Sequence, residues 1–335
     1  MARAANRLGP PAVTGLSAAV AAVRVAVRRS LLDLPSGALV AAAVSGGPDS
    51  LALAGALAFV RPGSGALVVD HALQDGSRAV AARAAEQCRS LGLTAEVLSA
   101  GRSGAVTQVE GAVTGTEGQP GGGPEARARA ARYAALDEAA DRLGAQVVLL
   151  GHTLDDQAET VLLGLARGAG ARALAGMAAQ RGRYRRPLLQ LTRATTHTAC
   201  SDAGLIAWAD PHNADPVYTR VRVRTDVLPV LERALGPGVA RALARSASQA
   251  RDDADALDAL TPCTDDVAVL AGLPVALRSR ALKRWAEQAC GHGLTSAHVD
   301  ALRGLVERWD GQGPVALPGG VRAGRAGGRL IAFPA

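Results

Sequence analysis

The sequence has few aromatic residues and almost no lysine. Aromatic side chains make up 2% of the 335 residues, whereas hydrophobic residues reach 48%, so a core of Ala, Val and Leu is expected. Lys283 is the only lysine, and the net charge of +7 therefore rests on arginine. Because the planar guanidinium binds oxyanions in a bidentate manner, this charge favours a polyanionic partner.

The four cysteines exclude the common cysteine-based sites. No two cysteines form a Cys-x-x-Cys pair, so neither a zinc ribbon nor a redox dithiol is expected. The four positions are Cys88, Cys200, Cys263 and Cys290. An isolated cysteine is usually a small core residue.

No apolar segment is long enough to cross a membrane. The alanine-rich stretch near the N-terminus is interrupted by Arg24, Arg28 and Arg29, which argues against a signal peptide. We therefore expect no membrane association and a location in the cytoplasm.

A glycine-rich loop follows the first predicted strand. Val40–Val44 is an apolar run of strand length, and Leu51–Ala54 opens a helix. Glycines and a helix start offer backbone N–H groups to phosphate, and serines add hydroxyl donors. The candidate phosphate-binding residues are Ser45, Gly46, Gly47, Pro48, Asp49 and Ser50.

Asp49 places a carboxylate beside the expected phosphates, where Mg²⁺ bridges such groups. The loop lacks the Gly-Lys-Ser/Thr ending of the Walker A pattern. It resembles the pyrophosphate loop of the ATP pyrophosphatases, which split ATP between the α and β phosphates. A plain βα turn that uses glycine for backbone reasons is the alternative interpretation.

Strands and helices alternate through the first part of the chain. This spacing predicts βαβ units and an α/β fold with a doubly wound, mostly parallel sheet. Asp70 and His71 follow the second strand, at the sheet edge where such folds bind ligands, and are candidates for the nucleotide pocket. A turn aspartate and a surface histidine are the alternative.

A helix is predicted from Glu125 to about Leu143, after a Gly-rich loop at 101–124 that is either an insertion or a lid. Arg129 lies on this helix among other arginines, which could clamp ATP or RNA or form a solvated face.

A second polar cluster follows the strand predicted at 146–150. His152, Asp155, Asp156 and Glu159 lie where this strand passes into a helix. Such residues could hold Mg²⁺, bind a substrate ammonium or act as a base toward an amine. Helix capping by Asp155 together with surface charge is the alternative.

The order of these motifs resembles that of the tRNA(Ile)-lysidine synthetase (or synthase) family. The similarity extends over about Leu39 to Leu231. It rests on the phosphate loop, Val-Asp-His at 69–71, the arginine-rich helix at 125–133, Gly-His-x-x-Asp-Asp-Gln-Ala-Glu-Thr at 151–160, Arg-Pro-Leu-Leu at 186–189 and Tyr-Thr-Arg-Val-Arg-Val-Arg at 218–224.

The resemblance implies an ATP-dependent enzyme that modifies the wobble cytidine of the isoleucine tRNA with anticodon CAU. ATP adenylates the C2 oxygen of the cytidine, and the side-chain amine of free L-lysine then displaces AMP. The implied catalytic residues are Asp49, Arg129, His152, Asp156 and Glu159, with Asp49 on Mg²⁺ and Asp156 on the lysine amine. The implied tRNA contacts are Arg186, Arg220, Arg222 and Arg224. A homodimer is one possible assembly.

Three features depart from the family pattern. Thr153 replaces a second histidine that many members carry, and Val221 replaces the usual asparagine. The insertion at 101–124 is longer than usual. If the segment 220–224 is extended, its alternation places the three arginines on one face.

Residues 231–335 have a different character. Helices are predicted at 239–260, 274–289 and 296–309, followed by short strands between 315 and 333. We therefore expect a catalytic domain over residues 1–230. A smaller, mainly helical domain over residues 231–335 would position RNA by shape.

Other functions share the loop. A tRNA 2-thiolation enzyme generally needs cysteines for sulfur transfer or a cluster, which the scattered cysteines disfavour. An amidotransferase-type synthetase for GMP or NAD would lack the Arg220–Arg224 segment. A non-catalytic nucleotide- or RNA-binding protein would not form AMP from ATP.

Overall fold

A computed structural model describes residues 17–70, 76–99, 124–168, 170–210 and 214–335 of the chain. Two compact units can be distinguished. One comprises Met1–Arg102, Ala135–Asp156 and Ala179–Val221, and the other comprises Ser103–Ala134, Gln157–Ala178 and Arg222–Ala335. The domain boundary at residue 230 stays a prediction. The predicted loop at 101–124 lies almost entirely outside the described residues.

The first unit is built on a six-stranded sheet with the order β3-β2-β1-β4-β6-β5. All neighbouring pairs are parallel except β5 and β6, which confirms the mostly parallel α/β fold. The strands in chain order are β1 (Val40–Val44), β2 (Gly65–Asp70), β3 (Thr94–Ser99), β4 (Val147–Leu149), β5 (Gln180–Arg181) and β6 (Tyr184–Arg185).

The helices alternate with these strands and then dominate the chain. In chain order the structure describes α1 (Ala18–Ser30), α2 (Pro48–Val60), α3 (Ser77–Ser90), α4 (Pro124–Leu143), α5 (Leu154–Ala166), α6 (Ala171–Leu174), α7 (Arg193–Asp202), α8 (Thr219–Arg222), α9 (Leu228–Leu235), α10 (Val239–Leu260), α11 (Val267–Gly272), α12 (Val275–Cys290) and α13 (Ser296–Glu307). In this described part, no helix is long and apolar enough to span a membrane.

β1 occupies the position that matters most for a ligand site. It lies between β2 and β4. After β1 the chain adds β2 and β3 on one side of it, and then crosses over to add β4 on the other side. In open parallel sheets, the crevice at the carboxyl ends of two such strands is where ligands bind. The residues that follow β1 and β4 therefore meet at one place.

α2 is buried on almost every side because its sequence is apolar around the whole helix. Leu51, Leu53 and Leu57 are fully buried, and the helix packs against α1 and α7. The small side chains of Ala52, Ala54 and Ala56 are buried as well, which allows close packing without aromatic residues. This packing fixes the first turn of α2 against the sheet.

The second unit contains a core of leucine and alanine in its C-terminal part. Leu270, Leu282, Leu302 and Leu305 are fully buried there, on α11, α12 and α13. A three-stranded antiparallel sheet completes this core, with strands β7 (Val315–Leu317), β8 (Val321–Ala326) and β9 (Arg329–Pro334). The mainly helical character with short terminal strands is as predicted.

The segment with three arginines is helical. α8 passes into a π-helical stretch, Val223–Val227, and then into α9. The condition under which Arg220, Arg222 and Arg224 would share one face of an extended segment is therefore not met. Val223 and Leu228 are buried against Ala158, which explains why packing overrides the alternating pattern.

Replacing Leu282 by alanine is expected to lower the free energy of unfolding by about 2–5 kcal/mol, because the leucine is fully buried and leaves a cavity. Chemical denaturation followed by circular dichroism measures this loss. Leu260→Ala is the control, since that leucine is 68% exposed and its loss should change stability by no more than about 0.5 kcal/mol. Equal effects of the two substitutions would contradict the described core.

Candidate active site

The loop after β1 is closed by a serine. The Ser50 hydroxyl donates to the carbonyl oxygen of Gly47 at 2.9 Å and accepts from the backbone N–H of Ser45 at 3.2 Å. Gly46 has a φ of +84°, a left-handed conformation that favours glycine. Ser50 thereby connects the two ends of the loop, and Gly46 permits its tight turn.

The loop ends in the N-terminus of α2. Gly47 precedes the helix in an extended conformation, Pro48 takes the first helical turn and Asp49 lies beside it. Proline suits this position because its missing N–H is not needed there. The positive end of α2 and its unpaired N–H groups point where a phosphate would bind.

β4 approaches this turn closely because Gly151 follows it. A Cβ atom on Gly151 would lie 3.2 Å from the Ser50 backbone nitrogen and 3.3 Å from the carbonyl carbon of Asp49. Only a residue without a side chain fits such an approach without displacement. The carboxyl end of β4 is thus held against the first turn of α2, and His152 follows directly.

Thr153 and Asp156 form a reciprocal cap at the start of α5. The Asp156 carboxylate accepts from the Thr153 backbone N–H at 2.8 Å and from its hydroxyl at 2.9 Å. The Thr153 hydroxyl oxygen lies 3.4 Å from the Asp156 backbone nitrogen, as in a capping box. Thr153 is fully buried, and its two hydrogen bonds hold Asp156 in place.

The first turn of α7 completes this cluster. The guanidinium of Arg193 donates to Asp156 at 2.8 Å, and its backbone N–H donates to Asp155 at 2.7 Å. The Thr196 hydroxyl donates to Asp49, and Nε2 of His197 lies 3.8 Å from the same carboxylate.

α7 was not predicted from the sequence. Thr192 is its N-cap, and that residue was the one local signal of a helix start. Thr196 and Asp49 are 147 residues apart in the sequence. No motif spacing in the sequence indicated that this helix turn would contact the phosphate loop.

The two carboxylates have opposite pKa shifts. Burial raises the pKa of Asp49, and the negative charge of Asp156 raises it further, while the hydrogen bond from Thr196 offsets only part of this. Burial also acts to raise the pKa of Asp156, but the charges of Arg193 and His152 and the hydrogen bonds from Thr153 outweigh it and lower that pKa.

Asp49 fits a divalent cation that is shared with a polyphosphate. Its side chain remains 24% exposed, and its raised pKa means that a nearby cation would relieve its charge. Within the described ranges, no group of three or more His, Cys, Asp or Glu side chains could hold a metal ion.

Asp70 is buried at the carboxyl end of β2, which pairs with β1. It therefore lies at the same sheet edge as the loop. His71 lies outside the described residues, so its predicted place in the nucleotide pocket stays a prediction.

Glu159 and Arg224 are paired in the second unit. Glu159 is fully buried, and its two oxygens accept from Nε of Arg224 at 2.7 Å and from Nη2 at 3.1 Å. The bidentate geometry is the strongest form of such a pair. The structure thus joins two residues that the sequence assigned to separate roles, one catalytic and one in tRNA binding.

The other predicted arginines have different surroundings. Arg129 stacks on Tyr133, with 5.2 Å between the guanidinium carbon and the ring centroid. Arg186 is buried at 5% exposure, Arg220 is half-buried and Arg222 is exposed. The catalytic role of Arg129 stays a prediction, and so do the tRNA contacts of Arg186, Arg220 and Arg222.

The loop, the switch-point strands and the carboxylate pair define a nucleotide-binding protein of the PP-loop class. Residues 23–231 match the family model described as a PP-loop domain, and residues 266–331 match the TilS substrate binding domain. The PP-loop domain uses ATP, so this chain binds ATP.

Relatives of similar length show to which family within the PP-loop class the chain belongs. The chain is 54% identical to the tRNA(Ile)-lysidine synthase of Thermobifida fusca, over 93% of this chain and 97% of that protein. It is 50% identical to the tRNA(Ile)-lysidine synthase of Leifsonia xyli, over 90% and 91%. The chain belongs to the tRNA(Ile)-lysidine synthase family.

One solved structure supports the fold alone. The U34-tRNA thiolase NcsA from Methanococcus maripaludis aligns with a TM-score of 0.55 at 18% identity, covering 69% of this chain and 79% of that one.

Gly151→Ala is expected to lower kcat/KM for ATP about tenfold, because a misplacement of 1 Å in an active site can cost about 100-fold and the added Cβ needs a smaller shift. Steady-state formation of AMP at varied ATP concentration measures the effect. Gly37→Ala is the matched control, since a Cβ there meets no atom within 4 Å. Unchanged kinetics in Gly151→Ala would contradict the close approach.

Asp49→Asn is expected to make the ligand-free protein more stable at neutral pH. The folded carboxyl holds its proton more tightly than the unfolded one, so wild-type stability falls as pH rises from the unfolded pKa of about 4 through the raised folded pKa. Asparagine avoids this loss, and its advantage should vanish at acidic pH.

Chemical denaturation at neutral and acidic pH, without nucleotide or divalent cation, measures this difference. Glu86→Gln on the exposed surface of α3 controls for the change in net charge. A gain that is equal at both pH values would refute the electrostatic explanation.

Proposed function

We propose that this chain joins L-lysine to C2 of the wobble cytidine in the isoleucine tRNA with anticodon CAU, in an ATP-dependent reaction that forms lysidine. The modified base pairs with A instead of G, so decoding changes from AUG to AUA. The observation that carries this proposal is the 54% identity to a tRNA(Ile)-lysidine synthase along 93% of the chain. The loop and its carboxylates supply the matching chemistry.

The reaction requires two steps because a carbonyl oxygen is a poor leaving group. In the first step, the C2 oxygen attacks the α phosphorus of ATP and pyrophosphate leaves. In the second step, the deprotonated side-chain amine of lysine attacks C2, the bond between C2 and the oxygen breaks, and AMP leaves with that oxygen. Proximity of both substrates converts each attack into an intramolecular event.

The loop residues have the first role. Ser45–Ser50 would hold the polyphosphate through backbone N–H groups and hydroxyls, aided by the positive end of α2. Asp49 would hold Mg²⁺, and a bound Mg²⁺ would stabilise the negative charge of the phosphates. Asp70 lies at the same edge and would contact the nucleotide.

Asp156 has the second role. Its lowered pKa keeps it ionised, and an ionised carboxylate binds an ammonium and accepts a hydrogen bond from an amine. His152 lies at the end of β4, three residues after Leu149, and would line the lysine position. Glu159 and Arg129 are kept in this proposal on the resemblance to the family alone.

The partners follow from the same proposal. We assign the tRNA contacts to Arg186, Arg220, Arg222 and Arg224, of which Arg222 is exposed and Arg186 is buried. A tRNA substrate is consistent with the cytoplasm, and a homodimer stays a proposal.

The test is transfer of labelled L-lysine to an unmodified isoleucine tRNA transcript with anticodon CAU. Labelling should require ATP and should disappear when the wobble cytidine is changed to uridine. Asp156→Ala should lose transfer by about 100-fold or more, as expected when a hydrogen bond to a charged group is removed at a reacting substrate.

Release of AMP with a different acceptor, and no labelling of the tRNA, would move the function to another ATP pyrophosphatase. Unchanged lysine transfer in Asp156→Ala would remove the role given to that residue and leave the overall reaction standing.

A further inference from the structure

We propose that Arg193 is a positioning residue for the lysine-transfer step and acts through Asp156. The Arg193 guanidinium donates to one oxygen of Asp156, while the backbone and hydroxyl of Thr153 donate to the other. Donors on both oxygens fix the carboxylate plane as well as its position. This inference rests on the proposed function, because it concerns the residue that we assign to the lysine amine.

The position of Arg193 is itself firmly determined. It is the first residue of α7, Thr192 caps that helix, and the Asp155 carboxylate accepts from the Arg193 backbone N–H at 2.7 Å. Negative charge at a helix N-terminus is favourable, so the Asp155 carboxylate stabilises the start of α7 and is itself stabilised there. The side chains of Arg193 and Asp156 are only 19% and 14% exposed, which limits screening of their pair by water.

Electrostatics explains why an arginine is needed at this place. Asp49 and Asp156 are close enough for the charge of one to act on the other, and both are largely withdrawn from water. Two such carboxylates tend to share a proton, and a protonated Asp156 would no longer attract an ammonium. The Arg193 charge beside Asp156 keeps that carboxylate ionised before the lysine arrives.

α7 also touches Asp49, but through other residues. The Thr196 hydroxyl donates to Asp49 and lies one turn further along the helix, with His197 next to it. The Arg193 guanidinium donates a hydrogen bond to Asp156, whereas on Asp49 its charge is the weakest of the effects that shift the pKa of that carboxyl. Its removal should therefore weaken the lysine step much more than the adenylation step.

The experiment separates the two half-reactions in Arg193→Ala. Adenylation is followed as pyrophosphate release from ATP with the tRNA transcript and without lysine. Lysine transfer is followed at varied L-lysine concentration. We expect kcat/KM for lysine to fall about 10- to 100-fold, the usual effect of losing a hydrogen bond between charged groups. Adenylation should fall far less.

Two further variants control for folding and charge. Arg193→Lys should recover part of the loss in lysine transfer, because lysine keeps the positive charge without the planar fork. Arg89→Ala removes an exposed arginine on α3 that pairs with Glu86, and it should leave both steps at the wild-type values. Thermal unfolding of each variant identifies any loss of folded protein.

A loss in lysine transfer that exceeds the loss in adenylation by about tenfold or more supports the proposal. A smaller difference between the two losses, or a KM for lysine that does not change, overturns it and leaves Arg193 as an anchor of α7. Absence of lysine transfer in the wild-type enzyme would instead refute the proposed function, so the two failures are distinguishable.

Discussion

The candidate active site depends on holding two largely buried carboxylates, Asp49 and Asp156, within reach of each other's charge. Burial raises the pKa of Asp49, and the negative charge of Asp156 raises it further. Thr153 and Arg193 hold Asp156, and Thr196, which lies on the same helix α7 as Arg193, holds Asp49. The raised pKa of Asp49 means that its charged form is unfavourable in the folded protein.

The sheet topology brings these groups together from distant parts of the sequence. β1 and β4 are neighbours at the switch point, so the phosphate loop and the segment that begins with Gly151 share one edge. The absent side chain of Gly151 then determines how near the two segments come. A backbone feature thereby fixes the geometry of side chains that carry the charge.

The sequence predicted what depends on local pattern. The buried strands, the glycine loop at Ser45–Ser50 and the helices of the C-terminal part follow from apolar periodicity and from turn residues. α7 and its contacts were missed because Arg193 and Thr196 reach Asp156 and Asp49 only through tertiary packing. The alternating pattern of segment 220–224 is compatible with a strand as well as with a helix. The segment is helical because Val223 is buried beside Ala158.

Thr153 connects a helix end to a side chain of the proposed reaction. The same residue caps α5 and binds the Asp156 carboxylate, so one group of hydrogen bonds positions both. The Thr153 hydroxyl is neutral and fully buried, so its hydrogen bonds to Asp156 do not depend on its own protonation. The charged part of the surroundings of Asp156 comes from Arg193 and His152, which lower the pKa of that carboxyl.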